Sequence, residues 1–211
     1  MTLAEKYRPK TLQEVVGQEK ACKVISGLPS VGGRAFYITG KSGTGKTTLA
    51  KIVAGQVATD PLCVTETTGR ELTPSKLTEW AHQAQWLPMF GEGWALIVNE
   101  SHGLTQPVIE RLLDILESLP SHAVVIFTTT KEGAIQFDDS KVDAGAFASR
   151  CLKIAMAQRD ITIPMARRVR EIATTEGMNG KPESDYVKLL RDCRNNMREA
   201  LMRVEQGEML D

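Results

Sequence analysis

The stretch from residue 35 to residue 58 decides the fold, and it reads AFYITGKSGTGKTTLAKIVAGQVA. It opens with Ala35–Thr39, a short apolar segment between glycines that is typical of a buried strand. From Lys46 onward, apolar residues recur with helical spacing and predict a helix that reaches about Ala58. Between strand and helix, Gly40–Thr47 fits the pattern GxxxxGK followed by Ser or Thr. This is the strand–loop–helix context that a phosphate-binding loop needs.

This phosphate-binding loop predicts ATP and Mg²⁺ as ligands. Its glycines let backbone N–H groups turn inward around an anion, at the start of a helix that already favours negative charge. Lys46 is expected to reach the β- and γ-phosphates, and Thr47 to place its hydroxyl on Mg²⁺. The guanine-reading motif NKxD is absent from the sequence, which favours adenine over guanine. The predicted nucleotide-binding residues of the loop are Gly40, Ser42, Gly43, Thr44, Gly45, Lys46, Thr47 and Thr48.

Apolar segments and helical patterns alternate along most of the chain. Trp94–Val98 and Ala123–Phe127 are continuous apolar segments that predict two further strands. A helix that begins at Thr73 or Ser75 precedes the first of them, and a helix capped by Thr105 separates the two. Continuous apolar strands separated by helices predict an α/β fold, with a parallel sheet covered by helices on both faces.

The pattern changes near the C-terminal end of the chain. From Asp160 onward only helical patterns are found, and they are interrupted at Gly177–Pro182. The predicted helices there are Ile163–Ala173, Ser184–Cys193 and Met197–Glu205. We therefore predict a nucleotide-binding domain at residues 1–156, followed by a small α-helical lid subdomain at residues 157–211.

The composition argues against several classes of protein. Lys plus Arg and Asp plus Glu both number 26, so no global basic field indicates nucleic acid. No apolar run is long enough to span a bilayer and the N-terminus has no signal-peptide core, which predicts a cytoplasmic protein without membrane association. The four cysteines are scattered without a CxxC pair, so they are interpreted as buried thiols and not as a zinc site or a disulfide framework.

Three segments in order resemble the clamp-loader ATPases. They are AEKYRPKTLQEVVGQEKA at 4–21, SHGLTQPVIERLLDILESLPSHAVVIFTTT at 101–130, and Ser149-Arg150-Cys151. Clamp loaders are AAA+ subunits related to bacterial DNA polymerase III gamma/tau and to the small subunits of replication factor C. The resemblance implies a P-loop AAA+ domain followed by the helical lid. It also implies an ATP-hydrolysing subunit that works in an oligomer of AAA+ subunits in DNA replication, with primer-template DNA and a sliding clamp as partners.

The resemblance also implies roles for residues outside the phosphate-binding loop. Thr129, or its neighbour Thr128, would be the sensor of the γ-phosphate or the attacking water. Arg150 would be an arginine finger that reaches the nucleotide of a neighbouring subunit, and Arg198 would be a second sensor that contacts the γ-phosphate. The residues that would lie beside the adenine and ribose are Tyr7, Arg8, Pro9, Val16 and Gly17.

The sequence departs from this family at the end of the predicted strand Trp94–Val98. The family has Asp-Glu there, and this chain has Asn99-Glu100. Glu100 is expected to polarise the attacking water. Asn99 still offers a carbonyl oxygen to a metal-bound water, but it lacks the negative charge of an aspartate. We therefore expect an active but slow ATPase with weakened Mg²⁺ affinity. His102, next to this site, is interpreted as a sensor of local geometry or a surface residue and not as a metal ligand.

Two other departures leave an alternative open. After the predicted lid no sequence remains for the collar domain of clamp loaders, and the cysteine-rich zinc insertion of gamma/tau subunits is absent. A collar is then expected from a separate subunit. The alternative function is a non-hydrolysing, nucleotide-dependent assembly subunit that supports a catalytic partner. A small P-loop kinase is disfavoured, because it explains neither the segment at 4–21 nor Ser149-Arg150-Cys151.

Overall fold

The computed structural model of the protein describes residues 1–131, 135, 137 and 144–210. At its centre lies a parallel sheet of five strands in the order β2-β3-β4-β1-β5. The strands are β1 (Arg34–Thr39), β2 (Val64–Thr68), β3 (Trp94–Asn99), β4 (Ala123–Thr129) and β5 (Cys151–Ala155). The predicted parallel α/β fold is therefore confirmed.

The helices of the described residues surround this sheet and continue beyond it. They are α1 (Leu3–Lys6), α2 (Glu19–Ser26), α3 (Lys46–Gly55), α4 (Pro74–Gln83), α5 (Gln106–Glu117), α6 (Ala144–Ser149), α7 (Thr162–Thr175), α8 (Glu183–Asp192) and α9 (Met197–Glu205). Short 3₁₀ turns lie at Leu12–Glu14, Pro61–Cys63 and Ser101–Gly103. Thr73 accepts a hydrogen bond from the Lys76 N–H and so caps α4, as one of the two predicted starts requires.

Three features differ from the expectations. The helix after the phosphate-binding loop ends at Gly55, three residues before the predicted end at Ala58. The two outer strands, β2 and β5, were not predicted at all. Each of them has a neighbouring strand on one side only, and β2 carries the partly exposed polar sequence VTETT. A strand of that kind lacks the continuous apolar run by which the three inner strands were found.

The side chains of the sheet alternate between two buried layers. Phe36 and Ile38 of β1 face one layer, where they share a core with α2 and α3. Tyr37 faces the opposite layer with α4 and α5, where Phe127 packs edge-on against Phe147 of α6 at a ring-centroid distance of 4.8 Å. Because the strands are parallel, the carboxyl ends of β1, β3 and β4 all lie at the same edge of the sheet.

A third apolar cluster joins the N-terminal helix to the C-terminal helices. Leu3 is buried among apolar residues of α7, α8 and α9. Lys6 forms an ion pair with Glu176 at 2.7 Å, and the Tyr7 hydroxyl donates to the same carboxylate. The hydrogen bond from Lys6, and to a smaller extent that from Tyr7, holds the pKa of Glu176 below its usual value. The division at residues 156 and 157 stays a prediction, and Asp211 lies outside the described residues.

Gln18 connects the N-terminal segment to Ala157, two residues after the end of β5. Its side chain is buried, its Nε2 donates to the Ala157 carbonyl at 3.2 Å, and its Oε1 accepts from the Ala157 N–H at 2.6 Å. Gly17 beside it adopts φ +74°, and an added Cβ would lie 3.1 Å from the side chain of Ile161. The contact between Gly17 and Ile161 holds the residue directly before α7 against the N-terminal segment.

The four cysteines differ in burial, because Cys63 and Cys193 are buried as predicted, whereas Cys22 and Cys151 are only partly buried. All four thiols are free, and burial raises the pKa of Cys151 to about 12, so this thiol stays neutral near pH 7. Within the described part of the chain, every helix is too short or too polar to cross a bilayer.

We predict that Gln18→Ala lowers the free energy of unfolding by about 2 kcal/mol, because both backbone groups of Ala157 lose a buried partner. Chemical denaturation followed by circular dichroism measures this change. The matched control is Gln13→Ala, since Gln13 is exposed and its replacement is expected to leave the unfolding midpoint unchanged. Equal stability of the two variants would contradict the structural role given to Gln18.

Candidate nucleotide-binding site

The phosphate-binding loop connects the end of β1 to the first turn of α3. Gly43 and Gly45 adopt left-handed backbone conformations with φ of +76° and +94°, which side-chain-bearing residues rarely take. The Lys46 ammonium donates to the Lys41 carbonyl at 2.9 Å, and the Thr44 hydroxyl donates to the same oxygen at 2.8 Å. The loop is thus braced from inside, at a helix N-terminus that favours an anion.

A cavity opens above this loop, and several separate parts of the chain line it. Most of the predicted nucleotide-binding residues lie on its wall: Tyr7, Arg8, Pro9, Val16, Ser42, Gly43, Thr44, Gly45, Lys46, Thr47, Thr48, Glu100 and Arg198. The structure thus brings the N-terminal segment, the loop and the start of α9 to one place. The predicted residues that do not line the cavity are Gly17, Gly40, Asn99, Thr129 and Arg150.

The cavity also includes residues that sequence reasoning missed. Met165, Arg168 and Ile172 of α7 lie on its wall, together with Glu14, Val15, Thr130, Met197, Leu201 and Ala4. The helical spacing of Met165, Arg168 and Ile172 places them on one face of α7, but spacing alone does not show what that face meets. Only the packing of α7 against the N-terminal segment makes them neighbours of the loop.

Gly43 is the point where the phosphate-binding loop touches the C-terminal helices. Its carbonyl accepts a hydrogen bond from the Met197 N–H at 3.4 Å, and an added Cβ would overlap the Asn196 side chain. Asn196 itself caps α9 by accepting from the Glu199 N–H at 3.3 Å. The contact between Gly43 and Met197 therefore also sets the position of Arg198, the residue after Met197 in the first turn of α9. The side chain of Arg198 is exposed.

Asn99 lies beside the loop at the end of β3. Its Oδ1 accepts from the Thr47 hydroxyl at 3.2 Å and from the Thr128 hydroxyl at 2.8 Å. An oxygen acceptor next to the P-loop threonine is the arrangement that a Mg²⁺-bound water requires. Of the two threonines considered as sensor, Thr128 is the one that contacts this group.

Glu100 follows in a left-handed conformation with φ 48° and ψ 49°, although it is not a glycine. Such a conformation costs roughly 1–2 kcal/mol and is found preferentially at functional sites. The Glu100 carboxylate accepts from the Thr130 hydroxyl at 3.3 Å and lies 3.4 Å from His102 Nδ1. His102 Nδ1 also lies 3.0 Å from the Thr129 hydroxyl. His102 thus joins Thr129 to Glu100, away from the metal position.

Arg150 follows α6, outside the cavity. One guanidinium nitrogen donates to the Ala146 carbonyl at 2.7 Å, and another pairs with the carboxylate of Glu117 at the end of α5. Its side chain is 27% exposed, so the guanidinium is held in place yet reaches the surface. Arg150 does not line the cavity of its own chain.

The arrangement fits a nucleotide-binding P-loop protein, and a comparison with protein families identifies the family. The profile of the ATPase family associated with various cellular activities (AAA) matches residues 36–149, which is more than half of the chain. The chain belongs to the AAA family. The matched range begins in β1 and ends with α6, so it includes the loop, Asn99, Glu100 and the sensor strand.

Relatives of this AAA ATPase include subunits of DNA polymerase III. DNA polymerase III subunit tau of Escherichia coli (strain K12) is 25% identical over 231 residues, covering 97% of this chain and 34% of the relative. DNA polymerase III subunit gamma/tau of Mycobacterium bovis is 30% identical over 158 residues, covering 62% of this chain and 27% of the relative. The chain thus spans only a minor part of the length of these relatives.

Solved structures show that the AAA fold extends over nearly the whole chain. The RuvB Holliday junction branch migration motor of Thermotoga maritima aligns with a TM-score of 0.70 and 19% identity, covering 94% of this chain and 64% of that chain. A DNA polymerase III gamma subunit-related protein of the same organism aligns with a TM-score of 0.53 and 14% identity, covering 89% and 70%. The predicted clamp-loader resemblance and AAA+ fold are therefore confirmed.

The residues of this AAA ATPase fit a magnesium-bound nucleoside triphosphate. The space at Gly43 admits no Cβ, and this residue lies on the wall of the cavity. Lys46 supplies a cation, and the side-chain oxygens of Thr47 and Asn99 lie next to each other. Among the described residues, His, Cys, Asp and Glu form no group of three that could hold a metal ion alone. The ion would therefore need phosphate oxygens and waters as further ligands, as Mg²⁺ sites commonly do.

We predict that Gly43→Ala abolishes detectable ATP binding, because a Cβ is strained at φ +76° and collides with Asn196. Isothermal titration with ATP and Mg²⁺ measures the affinity. Gly55→Ala is the matched control, since a Cβ at Gly55 meets nothing within 4 Å and its affinity is expected to equal that of the wild type. Normal ATP affinity of the Gly43 variant would mean that the loop binds the phosphates in another conformation.

Proposed function

We propose that the protein is an ATP-binding and ATP-hydrolysing AAA+ subunit of clamp-loader type that works as an oligomer in DNA replication. The observation that supports this most strongly is the cavity that gathers Lys46, Thr47, Glu100 and Arg198 around one phosphate-binding loop, with Arg150 outside it. The relatives named as DNA polymerase III subunits support the replication role.

The loop binds the phosphates, and Glu100 serves as the base. Backbone N–H groups of residues 43–47 and the Lys46 ammonium neutralise the phosphate charge, and Arg198 reaches the γ-phosphate from α9. Bound Mg²⁺, held by Thr47 and through water by Asn99, would neutralise further charge on the β- and γ-phosphates. Glu100 takes the proton of the attacking water, while Thr130 and His102 orient its carboxylate. Thr128, or Thr129 through His102, reports the state of this site.

The N-terminal segment receives the base and the ribose. Tyr7, Arg8 and Pro9 form one wall of the cavity, and Val15 and Val16 lie beside them. Met165 and Ile172 of α7 add further apolar side chains to the same cavity. A slot with such apolar side chains suits an adenine ring. Since α7 lies in the C-terminal cluster, nucleotide in this slot would draw the two parts of the chain together.

Arg150 acts on the ATP of a neighbouring subunit in this proposal. Its guanidinium is absent from the cavity of its own chain and reaches the surface beside Glu117. An arginine supplied by a neighbour is worth about 10³–10⁵ in rate for phosphoryl transfer. Hydrolysis would therefore depend on assembly, and Glu117 would be exchanged for phosphate when the interface forms.

The remaining parts of the proposal concern partners and location. We include a homo- or hetero-oligomer of AAA+ subunits, primer-template DNA, a sliding clamp and a cytoplasmic location. These follow from the names of the relatives and from the family, and a chain of zero net charge can follow DNA through a few local contacts to phosphates.

The first test is ATP turnover per subunit as a function of protein concentration, with Mg²⁺ and primed DNA. We expect the rate per subunit to rise steeply as subunits associate, and Glu100→Gln to abolish it while ATP still binds, because an amide cannot accept the proton. A zero rate at every concentration, with ATP bound, would reject hydrolysis by this chain alone.

Mixing two inactive variants tests the role of Arg150. We predict that Arg150→Ala lowers turnover by about 10³-fold, and that a mixture of Arg150→Ala with Glu100→Gln recovers a substantial part of it. In a mixed interface the first variant supplies Glu100 and the second supplies Arg150. Lys153→Ala, on β5 after Arg150, is the control and is expected to keep the wild-type rate. An inactive mixture of folded subunits would show that Arg150 does not act between subunits.

Asn99 favours a second candidate, a non-hydrolysing assembly subunit that binds ATP to hold its shape for a catalytic partner. The amide brings no negative charge to the metal position, which lowers the expected affinity for Mg²⁺. The two candidates differ in one result. The assembly subunit binds ATP and associates, but it shows no turnover in any oligomer, including oligomers with added partner subunits.

A further inference from the structure

Polar contacts link Thr47, Asn99, Glu66 and Lys51 in a row that the helix α3 closes into a ring. Glu66 of β2 and Lys51 of α3 are the members that the proposed ATPase mechanism does not use. Asn99 Nδ2 donates to Glu66 Oε1 at 2.8 Å, and Glu66 Oε2 pairs with the Lys51 ammonium at 2.8 Å. Lys51 lies four residues after Thr47 on the same face of α3, and the Thr47 hydroxyl donates to Asn99 Oδ1 at 3.2 Å. The ring therefore joins β2, β3 and α3 and returns to the phosphate-binding loop.

This ring decides which end of the Asn99 amide faces the loop. An amide has an oxygen that accepts and a nitrogen that donates, and a rotation by half a turn exchanges them. The hydroxyls of Thr47 and Thr128 can donate or accept, so they are compatible with either orientation. A carboxylate can only accept, so Glu66 requires the nitrogen of Asn99 on its own side. The oxygen is thereby left for Thr47.

We propose that Glu66 is a positioning residue that, held by Lys51, fixes Asn99 with its carbonyl oxygen toward the magnesium position. This inference rests on the proposed nucleotide function of the site. It explains how an asparagine can stand at the end of β3: the amide alone would present donor or acceptor to a metal-bound water, and Glu66 removes the wrong choice. Partners of this kind orient metal ligands in many sites.

The same geometry disfavours an aspartate at position 99 in this chain. Its two oxygens would place one carboxylate directly against Glu66, across a contact of 2.8 Å that now joins a donor to an acceptor. Two carboxylates at that distance repel each other, and one of them has to take up a proton or move away. Asn99 and Glu66 are thus complementary as a pair.

The contribution of the ring to stability is expected to be small. The side chains of Lys51 and Glu66 are 44% and 37% exposed, and ion pairs at such positions contribute little to the free energy of folding. The value of Glu66 is therefore orientation at the metal position. This separates its effect from a general loss of structure.

The test is the affinity for the ATP analogue AMP-PNP, measured by calorimetry in Mg²⁺ and again in EDTA. Glu66→Gln keeps the shape of the side chain but can donate as well as accept, so it no longer fixes the Asn99 amide. We expect the strengthening of binding by Mg²⁺ to fall roughly 10-fold in this variant, with unchanged affinity in EDTA. Glu79→Gln, an exposed change on α4, is the matched control and should keep the wild-type ratio.

A second measurement needs no nucleotide. We expect Asn99→Asp to lower the thermal unfolding midpoint by roughly 3 °C, and Glu66→Gln to reverse most of that loss when both are combined. The combined variant should also regain the effect of Mg²⁺ on AMP-PNP binding. Additive shifts of the midpoint, or an unchanged Mg²⁺ effect in Glu66→Gln, would overturn the role of Glu66. Failure of the wild type to bind AMP-PNP at all would reject the proposed function, and the unfolding experiment would still decide the contact.

Discussion

The site depends on one geometric constraint, the parallel register of the three inner strands. β4 pairs with β1 on one side and with β3 on the other, so Thr39 lies opposite Thr129 and Val98 lies opposite Phe127. The chain leaves all three strands at the same edge. The phosphate-binding loop, the Asn99-Glu100 pair and the threonines of β4 therefore lie next to each other at this edge. Each of them brings a different chemical group.

The second requirement is closure of this edge by the ends of the chain. Gln18 binds the backbone of Ala157, and Gly43 touches the cap of α9 at Asn196. These two contacts connect the N-terminal segment and the phosphate-binding loop to the C-terminal part of the chain. A movement of α9 relative to the loop would change the surroundings of Gly43, because Asn196 and Met197 contact this residue directly. Nucleotide binding and the placement of α9 are thus physically linked.

Three secondary-structure elements supply the groups around Asn99. The oxygen that faces Thr47 is on β3, the carboxylate that fixes it is on β2, and the cation that balances the carboxylate is on α3. Glu100 stands apart from this ring and is oriented by Thr130 and His102. The contacts of Asn99 and those of Glu100 are therefore separate, although the two residues are adjacent in the chain.

The sequence by itself determined the three inner strands, the phosphate-binding loop and the three C-terminal helices, because buried apolar runs and glycine spacing are local signals. It did not predict β2 and β5, whose outer positions in the sheet permit polar residues. Only the tertiary structure decided that Thr128 and not Thr129 contacts Asn99, that α7 lines the cavity, and that Glu66 faces Asn99. These facts depend on strand order and helix packing, which join residues far apart in the chain, and no local pattern records such pairings.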